Sequence, residues 1–402
     1  MSVFPLISVV IPACNPGMRH FENVLEALRD QTLPKDRWEL IVVDDASRVP
    51  LRAAKRDGHE ARGEGREGKG LKDEGQETGD RSQEAASSGY EQGTGATKNE
   101  ALIDLSWHPN ARIVQTDPER EGGGEKADKL KIRKAENEGA CGEREGIGLV
   151  SARLRGFELG KGDVFVFVDQ DNALRSDYLE RVADIAVEYP HIGTWGGQIL
   201  LKFDEAEKAP DPWLRGPLCT RELQSDIWTN VIDHHDSTPW GAGLCARREV
   251  LEIYRQRVLA NPMRRLLDPT PRRAGFGGDS DLSYSGCRAG YGKGVFKRLA
   301  LDHLIPVGRC SDDFLLRNAE TNGYSTVLHG FVEHGNTTPP RNDWRFWAMS
   351  WVRRPRRKRL QWEMEMAKRR GMWNAVAGIA GSEGELRQYA EMLAAKADRL
   401  EE

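Results

Sequence analysis

No C-x-x-C pair occurs in the chain, and its six cysteines (Cys14, Cys141, Cys219, Cys245, Cys287 and Cys310) are scattered. That spacing offers neither a zinc cluster nor the disulfide framework of a small secreted protein, so reduced thiols are the expectation. An apolar run approaching the ~18 residues of a membrane span is also missing. The opening MSVFPLISVVIPACN lacks a basic n-region and a full h-region, and a soluble, cytoplasmic chain is expected. Charge of one sign is not in excess: 59 Lys and Arg stand against 63 Asp and Glu, a net charge of −4. Nothing global therefore draws the protein to nucleic acid, and no nucleic-acid partner is expected. At 402 residues there is room for one large or two modest domains.

What the sequence does contain begins with LISVVIP, a β-branched apolar run closed by Pro12. Phe21, Val24, Leu25 and Leu28 then fall at i, i+3, i+4 and i+7, the stripe of a helix lying on a sheet. WELIVV follows as a second buried run and ends in Asp44 and Asp45, which completes a βαβ unit. From about 52 to 100, and again from about 117 to 146, large apolar residues nearly vanish. Both tracts are read as polar, disordered insertions. The first holds GEGREGKG, a match to two phosphate-loop patterns, but no strand and helix flank it and a chance match is the better reading. A strand is expected at Ala111 to Val114, a helix at Ser151 to Leu159 and another at Asp177 to Glu188. Beyond Trp195 no pattern is evident until GAGLCARREV, and GVFKRLALDHLIP supplies a late strand.

The stretch DVFVFVDQDN runs five apolar residues straight into Asp169 and Asp171. An interior strand ending this way delivers two carboxylates to the edge where open parallel sheets bind ligands. Spaced at i and i+2, they can share a hard divalent cation, which in turn can clamp a diphosphate. A bland alternative is that Asp169 caps a turn and Asp171 the following helix.

The acidic strand ends form an ordered series with ISVVIPACN, QTLPKDRWELIVVDDAS, the run into D-x-D, GAGLCARREV, GGDSDLSYSGCRAGYG and LALDHLIP. That series resembles family 2 glycosyltransferases of the GT-A fold over residues 4 to 47, 104 to 115 and 146 to about 330. The resemblance implies an α/β fold, a Rossmann-like, mostly parallel sheet flanked by helices. The catalytic domain would span 1–335 and carry both insertions, with a helical C-terminal extension at 336–402. It implies a hexosyltransferase-type enzyme of polysaccharide biosynthesis that moves a sugar from a nucleotide-sugar donor to a glycan or lipid-linked acceptor. A uridine-type nucleotide would be held near Pro12, Asn15 and Asp45, with Arg153 at the nucleotide or its diphosphate and Asp169 toward the ribose and metal. Asp171 would be the principal ligand of the divalent metal, Mn2+ or Mg2+, and His303 an additional one. Asp279 would be the general base of an inverting transfer, taking the proton of the acceptor hydroxyl. Gly278 stands where a glutamate often precedes that aspartate, and Asp281 is a candidate substitute on the acceptor side. Trp240 is either an apolar platform for a sugar face or part of the core. Arg153 could equally be an exposed helical arginine and His303 a structural one.

Two other readings share some of these residues. A HAD-type phosphotransferase also joins an apolar strand to D-x-D, but there the motif sits on the first strand; here a βαβ unit precedes it. A non-catalytic sugar-nucleotide binder would not need Asp171, Asp279 and His303 together. Near the C-terminus, Trp344, Trp347 and Trp351 share a helical face, and six basic residues follow around Pro355. That composition suits peripheral association with an anionic membrane on its cytoplasmic face. Alternatively the tryptophans pack on the catalytic domain and the arginines are solvated or pair with Glu363 and Glu365. Ser382 and Glu385 form a capping-box pattern ahead of a last apolar stripe.

Overall fold

A computed structural model describes residues 6–54, 101–116, 146–269, 274–335, 337 and 359–380. The segments GEGREGKG, Trp344 to Lys358 and Ser382 to Glu385 lie outside them. The expected βαβ unit is present. Strand β1 (Ile7–Ala13) and strand β2 (Trp38–Asp44) are buried along their whole length, and helix α1 (Met18–Arg29) buries Phe21, Val24, Leu25 and Leu28 against them. Burial on both faces is why these strands read as continuous apolar runs.

Strand β3 (Leu51–Ala53) pairs with β4 (Ala101–Ile103), so the chain on either side of the first polar tract returns to one small sheet. That moves the start of the tract past Arg52. The main sheet continues with β5 (Ala111–Gln115), β6 (Val164–Phe167), β7 (Asn172–Leu174), β8 (Ile192–Phe203), β9 (Ile227–Thr229), β10 (Leu244–Arg247) and β11 (Gly292–Ile305). Its order is β5-β2-β1-β6-β10-β8-β11-β7, with β9 on β11. Pairing is parallel from β5 through β6 and between β8 and β11, and antiparallel where β10, β7 and β9 join. The α/β class with a Rossmann-like sheet flanked by helices is borne out.

Strand β8 corrects the expectation of an irregular chain beyond Trp195. Gly196 and Gly197 hid it, and neighbouring groups explain them: a Cβ at 197 would lie 2.7 Å from the Leu299 carbonyl carbon, and one at 196 would lie 3.1 Å from Pro239. Helices α2 (Leu149–Leu159), α3 (Tyr178–Glu188), α4 (Arg248–Ala260) and α5 (Gly278–Arg288) cover the sheet. Helix α6 (Asp312–His334) starts at Ser311, whose hydroxyl accepts from the Phe314 N–H, and stops at Gly335 in the left-handed region. Against it lies α7 (Arg359–Ala380), part of the expected C-terminal extension. The two helices meet backbone to backbone: a Cβ at Gly323 would lie 2.8 Å from the carbonyl carbon of Lys368, and one at Gly371 the same distance from that of Glu320.

Under the outer edge of the sheet, His108 packs edge-on to Trp38 at 4.2 Å. Burial and nearby Lys35 hold its imidazole down at about 4, so it is neutral. One expectation about cysteine fails: Cys14 is disulfide-bonded, whereas Cys219, Cys245, Cys287 and Cys310 are free. No helix among the described residues is long and apolar enough to cross a membrane.

Candidate active site

A cleft of about 1520 Å³ opens at the carboxyl ends of the parallel strands, with Pro12, Asp45, Asp169 and Asp171 on its floor. Its sheet side is built by chain register. Strand β6 ends at Phe167, Val168 donates its N–H to the Val10 carbonyl, and Asp169 and Asp171 follow at the strand end. Strand β7 then pairs Asn172 with His303 on β11, which carries an imidazole from a distant part of the chain to the carboxylates.

His303 Nδ1 lies 3.1 Å from the Leu218 carbonyl, leaving Nε2 toward Asp171 Oδ2 at 3.6 Å. Arg309 adds a guanidinium 2.8 Å from the same Asp171 oxygen and 3.2 Å from His303 Nε2. Desolvation opposes ionisation of Asp171, but the His303 and Arg309 contacts outweigh it and hold the carboxyl at about 2. Asp169 is one-third open to the cleft, at 33% side-chain exposure. Burial, helped by the Asp171 charge, pushes its carboxyl above the ordinary range in spite of Arg153.

Asp45 also faces the cleft but holds the chain that leads into α2. Its Oδ1 accepts from the Ile147 N–H at 2.6 Å and the Thr116 hydroxyl at 3.0 Å, and Oδ2 accepts from the Gly148 N–H at 2.8 Å. A carboxylate has about four acceptor positions, so most are committed to that loop. Asn15, in the left-handed region at φ 45°, joins the turns after β1 and β2: its N–H donates to Ser47 Oγ and its Oδ1 accepts from the Arg48 N–H. It does not line the cleft among the described residues.

The opposite side is made by helices and loops. Asp279 sits in the first turn of α5, its Oδ1 accepting from the Ser280 N–H at 2.7 Å and its Oδ2 from the Gly241 N–H at 2.9 Å. Next to Gly241, Trp240 lines the cleft with one ring face covered by the Arg221 guanidinium at 3.8 Å, while it also packs on the core. Asp281 turns the other way. It is fully buried and ion-paired with Arg264, and burial pushes its carboxyl up, so it does not face an acceptor. Arg153 is buried rather than solvated. Nη1 donates to Asp268 Oδ2 at 2.9 Å and Nη2 to Asp169 Oδ1 at 3.4 Å. Desolvation lowers its pKa, but Asp268, Asp169 and Asp279 together raise it further, so the guanidinium is a fixed charge.

Residues 142–251, the stretch that contains α2, β6, D-x-D and β10, match the family model described as glycosyl transferase family 2. Over that segment the chain is similar to family 2 glycosyltransferases. No curated protein matches the sequence. Solved structures similar to it include S. aureus TarS 1-349 (13% identity, TM-score 0.36, 92% of this chain and 89% of that one). The complex of TarS 1-349 with UDP-GlcNAc is similar at 11% identity and TM-score 0.38, over 92% and 90% of the two chains. A third is the mannosyltransferase PcManGT from Pyrobaculum calidifontis in complex with GDP-Man and Mn2+, at 16% identity and TM-score 0.41, over 99% and 81%.

The cleft brings together Pro12, Asp45, Arg153, Asp169, Asp171, Trp240, Asp279 and His303 of the residues singled out from sequence, and leaves out Asn15 and Asp281. Among the polar residues on its wall that went unnoticed are Asp268, Arg309 and His329. Arg309 lies six residues past His303 and could have been found from that spacing. Asp268, inside RRLLDPTPRR, carries no local signal. Helix α7 closes the far side with Met364, Lys368 and Met372. Among the described residues no group of three His, Cys, Asp or Glu side chains is assembled to hold a metal. The pair Asp171 and His303 nonetheless has the chemistry of a divalent-cation site, a carboxylate beside an imidazole whose other nitrogen is tied to a carbonyl.

Proposed function

We propose that this glycosyltransferase transfers a hexose from a UDP-linked donor to a hydroxyl of a glycan or lipid-linked acceptor, with inversion and with a divalent cation, Mn2+ or Mg2+. The observation that carries this reading is the placement of Asp169, Asp171 and His303, at the sheet edge, in the same cleft as Asp279, at the start of α5. Donor phosphates belong at the sheet edge, where Asp171 and His303 would hold the cation and Arg309 can turn its guanidinium to the diphosphate. A cation held there would supply the positive charge that a departing diphosphate needs.

On the other side Asp279 takes the proton of the acceptor hydroxyl as that oxygen attacks the anomeric carbon. Inversion would follow from attack by the acceptor oxygen on the face of the sugar opposite the departing diphosphate. Two backbone N–H groups fix both Asp279 oxygens, which orients the carboxylate before the acceptor arrives. Acceptors enter between α5 and the α6–α7 pair, past Trp240. The volume suits more than a donor: about 1520 Å³ exceeds the roughly 300–1000 Å³ of a typical small-molecule site.

Melting temperatures measured against a panel of UDP- and GDP-sugars, with and without Mn2+, test this directly. A shift with UDP-sugars that needs Mn2+ is expected. Equal shifts with all nucleotides, or none that depends on metal, would overturn the donor and cation assignments.

A further inference from the structure

Asp268 is 5% exposed and has no role in the proposed chemistry, yet it links α2 to the start of α5. It comes from the segment just after the 3-10 turn Pro262–Leu267. Oδ1 accepts from the Gly278 N–H at 3.0 Å, and Oδ2 accepts from Arg153 Nη1 at 2.9 Å. Gly278 is the first residue of α5, where a helix N–H has no partner within the helix. Asp279 is the next residue. Arg153 in turn reaches Asp169 and lies so close beneath Gly241 that a Cβ there would meet Nη2 at 2.7 Å. Gly241 is the residue whose N–H holds Asp279 Oδ2. Two short paths therefore run from Asp268 to Asp279, one through the helix start and one through Arg153 and the Gly241 loop.

Space at position 278 is taken by the same carboxylate. A Cβ added to Gly278 would lie 2.6 Å from the Asp268 Cγ, so a side chain at 278 and the carboxylate of Asp268 are alternatives for one volume. We infer that Asp268 is the positioning residue for the transfer, delivering from a separate segment the carboxylate that fixes the start of α5 and keeps Asp279 in register with Arg153 and Asp169. This rests on the reading of Asp279 as base. Charge is what the position needs, because Asp268 is the shorter of the two carboxylate contacts of a buried guanidinium, 2.9 Å against 3.4 Å for Asp169, and space-filling alone would leave only the longer one.

The test uses the full chain and three readouts: UDP release from the UDP-sugar that raises the melting temperature most, UDP affinity by calorimetry with Mn2+, and melting temperature. Asp268→Asn is expected to lower kcat about 10–100-fold, as partners one step behind the reacting groups do, with UDP affinity moving far less. Asp268→Gly combined with Gly278→Asp returns the carboxylate from the helix itself and should regain most of the turnover. Asp268→Gly with Gly278→Asn, equal in shape but uncharged, should not. Wild-type turnover in Asp268→Asn overturns the inference, as does equal recovery by the uncharged swap, or an acid swap that fails to recover turnover or to fold. Asp279→Asn run alongside separates the two levels. Near-wild-type turnover there overturns the base assignment and this inference with it, whereas a slow Asp279→Asn beside a fast Asp268→Asn overturns only the role of Asp268.

Discussion

The two sides of the cleft are built by different means. On the sheet side each functional group sits at the end of a buried strand, and its place follows from backbone pairing: β1 to β6 sets Asp169, and β7 to β11 sets His303. On the helical side the groups come from α5, the 268 segment, α6 and α7, and ion pairs around Arg264 and Glu333 join α5 to α6. Arg264 pairs with Asp281 and, at 2.6 Å, with Glu333, which also takes Arg257 at 3.1 Å and Arg288 at 2.6 Å. Removing one partner of such a pair costs about 3–5 kcal/mol, because the other charge stays buried. The sheet side is thus fixed by many small, equivalent interactions and the helical side by a few large ones.

That contrast can be broken or sharpened by experiment. The largest effect should come from Asp279→Asn, with transfer down roughly 10²- to 10⁴-fold at unchanged UDP affinity in steady-state kinetics and calorimetry. Transfer close to wild type would move the base elsewhere on the helical side. Asp171→Ala should act on the sheet side only, weakening Mn2+-dependent UDP binding by about 10–100-fold in calorimetry, with a cooperative melt kept but its midpoint lowered by loss of the Arg309 and His303 contacts. Unchanged affinity would remove Asp171 from the donor site. Gly371→Ala should wedge α7 from α6 at about 1–3 kcal/mol in denaturant unfolding, and raise the acceptor KM more than the donor KM. Equal effects on both would mean that the two sides are not independent.

The smallest expected effect is a pH dependence confined to the sheet side. His108 is held neutral at about 4, below the ~6.5 of an unfolded histidine, so the unfolded chain takes up its proton first. Its contribution is present above about pH 6.5 and is lost as pH falls toward 4. Melting temperature should decline over that window, and His108→Gln should flatten the decline. An unchanged slope would point to another group.

Legibility in the sequence follows the same division. Strands β1, β2 and β6 and helix α1 are local apolar patterns, and D-x-D follows its strand directly, so all could be read from spacing. Strand β8 could not: its glycines answer to Leu299 and Pro239, about 100 and 40 positions away. Arg153 reads as an exposed helical arginine because its partner Asp268 lies 115 residues on. Asp281 sits two residues from Asp279 in a helix, and residues at that spacing face different ways, which is why one meets the cleft and the other meets Arg264. Of the basic cluster near the C-terminus, Arg359 starts α7 and pairs with Glu363 at 2.7 Å, as the alternative of arginines paired with Glu363 and Glu365 expects at that one position.

The contact of Gly323 with Lys368 and of Gly371 with Glu320 has an implication for how this protein can vary. Where two helices touch through absent side chains, only one axial alignment is available, since sliding α7 by a turn would drive a real side chain into the opposing backbone. The hairpin is keyed like a notch and tongue. Residues inserted or deleted between His334 and Arg359 should leave the same face of α7, with Met364, Lys368 and Met372, turned to the cleft, so the length of that connection can drift while the pocket wall it leads to stays the same.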